Sequence, residues 1–322
     1  MDHEAQRGLW TLAPDVVGLP QPIVNLFLVG PPDSGDRGWT LIDTGLPLLS
    51  GGIVRAAEER FGPDARPAAI ILTHGHFDHV GPVAELAARW DAPVYAHPLE
   101  LPYLTGRSSY PPPDPTVGGG AMARLSPLYP RGPIDLGARA HALPEDGSVP
   151  TLPGWRAIHT PGHSPGHISL FRESDRLLLA GDAFVTTKQE SAFGALLKPQ
   201  AVHGPPMHFT PDWEASLRSV EALAALRPAT AATGHGKPIA GAELTALLDT
   251  LVRDFDWVAV PAQGRYVGHP ATMDERGVVS VPPAAPDPFV ARLAGLGASA
   301  VLAISLLRLA RRLRGGRQTA RA

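Results

Sequence analysis

The stretch that decides the fold is Thr73-His74-Gly75-His76-Phe77-Asp78-His79, which directly follows an aliphatic run at 68–72 with the composition of a buried strand. Four side chains that bind metal ions therefore lie within six positions at the end of one strand. His74 and His76 point to the same side, because side chains alternate along an extended chain. Asp78 and His79 can turn toward a neighbouring position where the next helix begins. One strand end can thus supply ligands to two metal ions.

Three more candidate ligands follow, each just after a predicted strand. His163 lies in Thr-Pro-Gly-His-Ser-Pro-Gly-His, Asp182 in Leu-Leu-Ala-Gly-Asp and His235 in Thr-Gly-His-Gly. The glycines beside them permit turns and close approach of the backbone to a metal centre. Five His and two Asp suit a divalent metal ion of intermediate hardness such as zinc, and iron or manganese also fit such a set.

Strands and helices alternate along the chain in two comparable halves, which predicts an α/β fold. The predicted strands are 22–29, 39–42, 68–72, 155–158, 168–171, 176–179 and 230–233, and the predicted helices are 48–61, 81–90, 212–226 and 240–255.

Composition excludes several classes of protein. The 322 residues include no Cys, so disulfides, thiolate zinc sites and cysteine nucleophiles are absent. The formal net charge is −3, but residues 289–322 carry seven Arg and no acid, which leaves 21 basic and 31 acidic side chains elsewhere. A surface of that charge argues against nucleic-acid binding by the main domain.

The seven candidate ligands, in this order and in these contexts, resemble the metallo-β-lactamase superfamily over about residues 9–260. The resemblance implies an αββα sandwich of two mixed β-sheets flanked by helices. It also implies the roles of the ligands: His74, His76 and His163 hold one metal ion, Asp78, His79 and His235 hold the second, and Asp182 bridges them.

The activity implied by the resemblance is that of a dinuclear metal-dependent hydrolase with two zinc ions per chain. A metal-bridging hydroxide would attack a small carbonyl ester, thioester or lactone, with Asp78 and Asp182 as the predicted catalytic residues. Asp43, which follows a predicted strand, matches a family position where it would orient a ligand His by a hydrogen bond. Its alternative is an ordinary residue of a turn at the strand end.

Differences between this sequence and other members of the family limit the resemblance to the branch of lactonase, thioesterase and glyoxalase-II relatives. Enzymes with a Cys ligand are excluded. Gly236-Lys237-Pro238 after the last ligand departs from glyoxalase II, and Val185 stands where related lactonases carry a Tyr. The alternative function is that of a mononuclear Fe(II) oxidoreductase similar to persulfide dioxygenases.

The sequence predicts three segments, the first of which contains an insertion. Residues 1–260 form the catalytic domain, 98–153 are a Pro- and Gly-rich insertion that serves as a lid or is a surface loop, 261–288 are a linker, and 289–322 are a hydrophobic and Arg-rich C-terminal helix. The loop 184–211 is a predicted substrate wall, in which Lys188 either meets an anionic group or is solvated. His159 and His167 are predicted to form structural hydrogen bonds.

The composition of the C-terminal tail, residues 289–322, predicts that it packs against another surface. Its uncharged run 293–307 would span about 22 Å as a helix, short of the roughly 30 Å hydrocarbon core of a membrane. The three alternatives are peripheral contact with the inner face of a membrane, packing against the body or another subunit, and a strained span. Because residues 1–14 contain acids and no signal-peptide core, we expect a cytoplasmic protein acting on a small molecule.

Overall fold

The structure is a computed structural model that describes residues 8–188 and 201–286, and the statements below concern that part of the chain. The chain divides into two units, Met1–Pro283 and Ala284–Ala322. All elements described here belong to the first unit. The predicted C-terminal helix at 289–322 lies outside the described residues.

The first sheet has seven strands that lie side by side in chain order. They are β1 (Trp10–Ala13), β2 (Val16–Pro20), β3 (Asn25–Val29), β4 (Thr40–Ile42), β5 (Ala69–Ile71), β6 (Val94–Ala96) and β7 (Ala140–Ala142). The pairs from β1 to β4 are antiparallel, whereas those from β4 to β7 are parallel. Each parallel pair needs a long crossover, and two of the crossovers are helices.

The second sheet has five strands in the order β12-β11-β10-β9-β8. They are β8 (Trp155–His159), β9 (Ile168–Arg172), β10 (Leu177–Leu179), β11 (Thr230–Ala232) and β12 (Ile239–Ala240). Only the pair of β10 and β11 is parallel. Both sheets are therefore mixed, as predicted.

Seven α-helices are found in the described part of the chain. They are α1 (Ser50–Phe61), α2 (Val83–Trp90), α3 (Leu101–Leu104), α4 (Ala121–Leu125), α5 (Trp213–Ala225), α6 (Gly241–Arg253) and α7 (Phe255–Val258). The start of α5 has a clear local cause, because the Asp212 side chain accepts a hydrogen bond from the amide of Ala215 at 2.9 Å. The four longest helices confirm the four predicted from the sequence.

Alternation along the strands builds the layers. In β3, Leu26 and Leu28 pack in a cluster that includes Ile53 of α1 and Leu86 of α2. The residues between them face the other way, and Phe27 lies in the cluster between the sheets. The outer face of the second sheet is covered by α5 and α6 in a third cluster. This arrangement confirms the αββα sandwich, because each sheet buries one face on its helices and one on the other sheet.

The insertion at 98–153 is more ordered than its Pro and Gly content suggests. It contains α3, α4 and β7, and β7 pairs with β6 at the edge of the first sheet. Tyr103 and Tyr110 are buried in it and stack with ring centroids 3.9 Å apart. The segment is thus an integral part of the body.

The structure differs from the predicted linker at 261–288. Residues 261–283 fall in the first unit, and Tyr266 and Ala271 are buried in the cluster under α5 and α6. A hairpin of β13 (Thr272–Asp274) and β14 (Gly277–Ser280) follows, with the amide of Val278 bonded to Ser108. Short apolar stretches between glycines and prolines carried too little periodicity to reveal this packing.

A search of residues 8–188 and 201–286 for helices with the length and hydrophobicity of a membrane span finds none.

Candidate metal centre

All the predicted ligands come from loops at one edge of the sandwich. His74 follows β5, Asp182 follows β10 and His235 follows β11, each within three residues of the strand end. β10 and β11 run parallel, so their carboxyl ends meet at one edge. β8 precedes His163 and has the same direction as β10, because both are antiparallel to β9. The loops of the two sheets therefore converge.

The structure brings all seven predicted ligands together. Three groups have ligand atoms that lie within 4.8 Å of one another: His74, His76 and His163; His74, His79 and Asp182; and Asp78, His79 and His235. Each of the seven side chains is buried. The first and third groups match the two ligand sets implied by the resemblance.

Asp182 lies between the two sets. Its Oδ2 atom is 2.9 Å from Nε2 of His235 and 3.5 Å from Nε2 of His163. Its other oxygen, Oδ1, is 3.6 Å from Nε2 of His79. One carboxylate thus contacts residues of both sets, which is the position that a bridging ligand requires.

Three buried polar atoms at this place have no hydrogen-bond partner among the described residues: His74 Nε2, His79 Nε2 and Asp182 Oδ1. In addition, Nδ1 of His76 and Nε2 of His163 are within hydrogen-bond distance of each other, at 2.9 Å. Unsatisfied buried polar atoms are costly, and native proteins almost always pair them. Divalent metal ions would satisfy these nitrogen and oxygen atoms, so the side chains present fit such ions.

Asp43 orients a ligand histidine by a hydrogen bond, as predicted. Its carboxylate accepts hydrogen bonds from Nδ1 of His79 and from the amide and hydroxyl of Thr73, all at 2.8 Å. The Thr73 hydroxyl in turn lies 3.1 Å from Nδ1 of His74. Asp43 has a φ of 57°, a left-handed conformation that is uncommon outside glycine. The side-chain bonds hold it there and leave Nε2 of His79 facing Asp182.

Two further ligand rings are fixed by residues that the sequence analysis did not identify. Nδ1 of His235 donates to the carbonyl of Ile23 at 2.5 Å. Nδ1 of His163 lies 3.3 Å from the Thr210 hydroxyl, which itself donates to the carbonyl of Pro206. Each bond fixes the tautomer that leaves Nε2 free as a ligand atom. No motif marks such partners, because they lie far away in the sequence.

Asn25 ties the His235 loop to the first sheet. Its side-chain amide donates to the carbonyls of Thr233 and Gly236 at 2.8 and 2.7 Å, and its backbone amide donates to Gly234 at 2.7 Å. Gly234 is required here, because a Cβ atom at this position would overlap Oδ1 of Asp182. The loop can therefore approach the carboxylate closely.

The flanking histidines have structural bonds. Nε2 of His167 accepts the amide of Asp182 at 2.8 Å, and Nδ1 lies 2.8 Å from the Thr160 hydroxyl. Burial lowers the pKa of His167 to about 3, so that ring is neutral and can accept. His159 bonds the carbonyl of Pro165. These contacts agree with the predicted structural role of both residues.

Burial holds three ligand rings in the neutral form. It lowers the pKa of His76 to about 3, with the nearby His79 acting in the same direction. It also lowers the pKa of His74 and of His163 well below the ordinary value, and neighbouring histidines add to the effect. Neutral imidazoles have the free lone pair that a metal ion needs.

The carboxylates reverse this effect at the other two rings. Burial opposes the charge on His79, but Asp182 and Asp43 outweigh it and hold the pKa of His79 well above the ordinary value. Asp182 likewise outweighs burial at His235 and raises its pKa. Burial would raise the pKa of Asp182, yet His235 and His79 hold it well below the ordinary value. The shifts thus favour the carboxylate form of Asp182 and the protonated forms of His79 and His235.

A cavity opens on the ligands, and we call it the site cavity. Besides five of the ligands, its walls are Ile23, Phe77, Met122, Tyr129, Pro206, His208 and Phe209. Met122 and Tyr129 come from the insertion, which thus supplies one wall. Lys188 is exposed and is not among the lining residues. Of the predicted wall at 184–211, residues 189–200 lie outside the described part of the chain.

Similarity to known proteins agrees with this geometry. A family model described as the Metallo-beta-lactamase superfamily matches residues 19–235, a range that contains all seven predicted ligands. The chain is 48% identical over 243 residues to the probable metallo-hydrolase YflN of Bacillus subtilis (strain 168), covering 74% of this chain and 92% of that protein. It is 30% identical over 199 residues to the probable metallo-hydrolase YybB of the same organism, covering 62% and 76%.

Among solved structures, the chain is similar to a metallo-beta-lactamase family protein from Thermus thermophilus, with a TM-score of 0.50 and 23% identity over 76% of this chain and 81% of that one. This similarity concerns the fold alone.

Proposed function

Because the chain belongs to the metallo-beta-lactamase superfamily, we propose that it is a dinuclear metal-dependent hydrolase acting on a small carbonyl ester, thioester or lactone. The observation that carries the proposal is the position of Asp182, whose carboxylate contacts His163 of one ligand set and His79 and His235 of the other. A 48% identical relative bears the name probable metallo-hydrolase, which supports hydrolysis as the reaction class.

The proposed ligands of the first metal ion are His74, His76 and His163, those of the second are Asp78, His79 and His235, and Asp182 is proposed to bridge. Two zinc ions suit this set of nitrogen and oxygen ligands. When bound, such ions lower the pKa of a shared water toward neutrality and polarise a carbonyl oxygen.

The chain's own residues supply orientation and hydrogen bonding. Asp43, Thr210 and the carbonyl of Ile23 hold the rings of His79, His163 and His235 in single tautomers. We assign a further role to His208, which lines the site cavity and is 2% exposed. Its Nδ1 has no hydrogen-bond partner among the described residues.

The proposed role of His208 is to donate a hydrogen bond to the substrate. Burial lowers its pKa to about 3, so the ring is neutral at pH 7 and carries one N–H. An N–H donor that lines the site cavity can stabilise the negative charge that develops on a carbonyl oxygen under attack. The role fills a gap, because Val185, where related lactonases carry Tyr, is buried and absent from the cavity wall.

The walls favour an uncharged acyl group. Phe77, Tyr129 and Phe209 form an aromatic surface with ring centroids 5.5–6.3 Å apart. In the described part of the chain, no Lys or Arg lines the site cavity. Burial of apolar substrate atoms against aromatic walls makes binding more favourable, whereas an anionic thiol such as glutathione would need cationic partners. We therefore place thioesters of uncharged thiols, aryl esters and lactones first.

Metal analysis with kinetics tests the function. Protein purified without added metal should contain about two zinc ions per chain, as the two ligand sets imply. It should cleave an aryl acetate, an uncharged acyl thioester or an aliphatic lactone, and Asp182→Ala should lose that activity. A metal-loaded protein that hydrolyses none of the three would contradict the proposal.

The same measurement distinguishes the hydrolase from the iron alternative. A mononuclear oxidoreductase would need only one ligand set, whereas both sets are buried and assembled here. Near one iron per chain with oxygen uptake on a glutathione persulfide would replace the hydrolase by that alternative.

A further inference from the structure

Glu100 is a fully buried carboxylate that the metal ligands do not contact directly. It ends a short 3-10 turn, Pro98–Glu100, just after β6, and its exposed fraction is 0%. β6 runs parallel to β5, so the turn lies at the same edge as His74. A buried carboxylate is costly unless several donors satisfy it. Four donors do so here.

The donors come from both sides of the ligand cluster. Oε2 accepts the amide of Gly75 at 3.0 Å and the hydroxyl of Tyr110. Oε1 accepts the hydroxyl of Ser164 at 2.7 Å and the amide of Gly166 at 2.8 Å. One oxygen thus bonds the loop that carries His74 and His76, and the other bonds the loop that carries His163. We call this arrangement the Glu100 clasp.

The clasp is packed tightly. A Cβ atom on Gly75 would lie 2.6 Å from the Tyr110 hydroxyl, and one on Gly166 would lie 2.8 Å from the Glu100 amide. The Tyr110 hydroxyl lies 2.9 Å from the Gly75 amide, and its ring contacts His76 at a centroid distance of 4.5 Å. Neither position has room for a side chain, and neither loop can withdraw without breaking hydrogen bonds to Glu100.

We propose that Glu100 is a positioning residue for the metal centre, which fixes the separation of the His74–His76 loop and the His163 loop before any ion binds. Nδ1 of His76 and Nε2 of His163 already lie 2.9 Å apart. The fixed separation keeps these two nitrogens within reach of one metal ion. The proposal rests on the metal centre proposed above, and it adds a residue that contacts no ion and no substrate.

The direct test is Glu100→Gln, which keeps the volume but turns one acceptor oxygen into a donor that opposes two other donors. We expect Zn²⁺ and Co²⁺ each to bind roughly 10- to 100-fold more weakly, measured by competition with a chelator. The visible absorption bands of the Co²⁺ protein should change, because they report ligand geometry. Saturating metal should restore part of kcat.

The matched control is Asp114→Asn. Asp114 is another buried carboxylate of the insertion, and its partners Thr116 and Arg265 carry no predicted ligand. It should lower the melting temperature of the metal-free protein without changing metal affinity or the Co²⁺ spectrum. If Glu100→Gln behaved in the same way, Glu100 would be merely structural and the proposal would be overturned.

A second variant keeps the test decisive if Glu100→Gln does not fold. Ser164→Ala removes one donor and leaves the carboxylate and the other three in place. It should weaken metal binding several-fold and shift the Co²⁺ bands in the same direction, and an unchanged affinity would overturn the proposal. Failure of the proposed function is distinct, because the wild-type chain would then bind no pair of divalent ions, or would bind them without hydrolysing a carbonyl substrate.

Discussion

Oδ2 of Asp43 lies 2.8 Å from Nδ1 of His79, and both side chains are at most 1% exposed. The same carboxylate accepts the amide and hydroxyl of Thr73 and so joins the end of β4 to the segment that follows β5. His79 must therefore carry its hydrogen on Nδ1 and present Nε2 toward Asp182. Removing one partner of a buried ion pair is strongly destabilising, because the remaining charge is left buried and unpaired.

Asp43→Asn should weaken the second metal position. The new amide NH₂ opposes either the Thr73 amide or, in the other orientation, both the Thr73 hydroxyl and Nδ1 of His79. In both orientations the neutral amide holds the His79 ring less firmly than the carboxylate does. We expect the affinity for the second metal ion to fall by roughly 10- to 100-fold. Stepwise metal titration measures this. Asp36→Asn is the control, because that carboxylate is exposed and bonds only Arg66 in the described part of the chain.

Asp182 and His79 should differ in the number of ions they hold. Asp182→Ala removes the carboxylate that contacts both ligand sets, so metal content should fall at both positions and most activity should be lost. His79→Ala should mainly empty the second position. Elemental analysis after gel filtration measures both. An Asp182→Ala protein with two ions and near-normal turnover would show that the bridging role is wrong.

Metal binding should release protons. The carboxylates hold the pKa of His79 well above its ordinary value and raise that of His235, despite burial. Each ring with a raised pKa keeps its proton below that pKa, and a metal ion must displace it. The apparent affinity for Zn²⁺ should therefore fall as the pH falls, from about pH 8 to about pH 6.

Titration calorimetry in two buffers of different ionisation enthalpy counts those protons. Asp43→Asn should release fewer, because one of the two carboxylates that raise the pKa of His79 has lost its charge. Binding without proton release, or an affinity that rises as the pH falls, would contradict the proposed ligand roles of His79 and His235.

His208→Phe should separate catalysis from metal binding. The substitution keeps an aromatic ring and removes the N–H. We expect kcat to fall by roughly 10²- to 10³-fold, as when one donor to a developing oxyanion is lost, with metal content unchanged. His159→Phe is the control, because His159 stacks on His97 and does not line the site cavity. A kcat close to that of wild type would remove His208 from the mechanism.

The sequence revealed the ligands and, in Asp43, one residue that orients them, but it missed most of their other partners. His74, His76, Asp78 and His79 were predictable because one strand end places them together, and the long helices were predictable from their periodicity. The partners are different: Glu100 is 64 residues from Ser164, and Asn25 is 211 residues from Gly236. Such contacts depend on which loops the two sheets bring to one edge. No local pattern encodes that.

Short elements were also missed for a physical reason. β6 and β7 have three residues each and lack the aliphatic run that marked the equally short β5 and β10. Their place in the sheet comes from pairing with neighbours. Tyr266 and Ala271 lie in a stretch predicted as a linker but are buried against the second sheet's helices. Tertiary packing, rather than local preference, orders these residues.

The insertion wall can be tested at Tyr129. Removing 105–120, the change that the sequence suggests, would also remove buried Tyr110 and Asp114 and disturb the body. Tyr129→Ala instead deletes one ring of the site cavity, where it lies 5.5 Å from Phe77 and 6.0 Å from Phe209. Because substrate and transition state lose the same apolar contact, KM for an aryl ester should rise by roughly 10-fold while kcat and metal content change little.

Leu128→Ala is the matched control for that experiment. Leu128 is next to Tyr129 in the sequence, but its side chain is 79% exposed and does not line the site cavity. Comparing a series of esters with longer acyl groups sharpens the result, since a lost wall should reduce the discrimination between them. If Tyr129→Ala and Leu128→Ala gave the same KM across the series, the Tyr129 ring would not contact the substrate, and the role of the insertion as a substrate wall would be wrong.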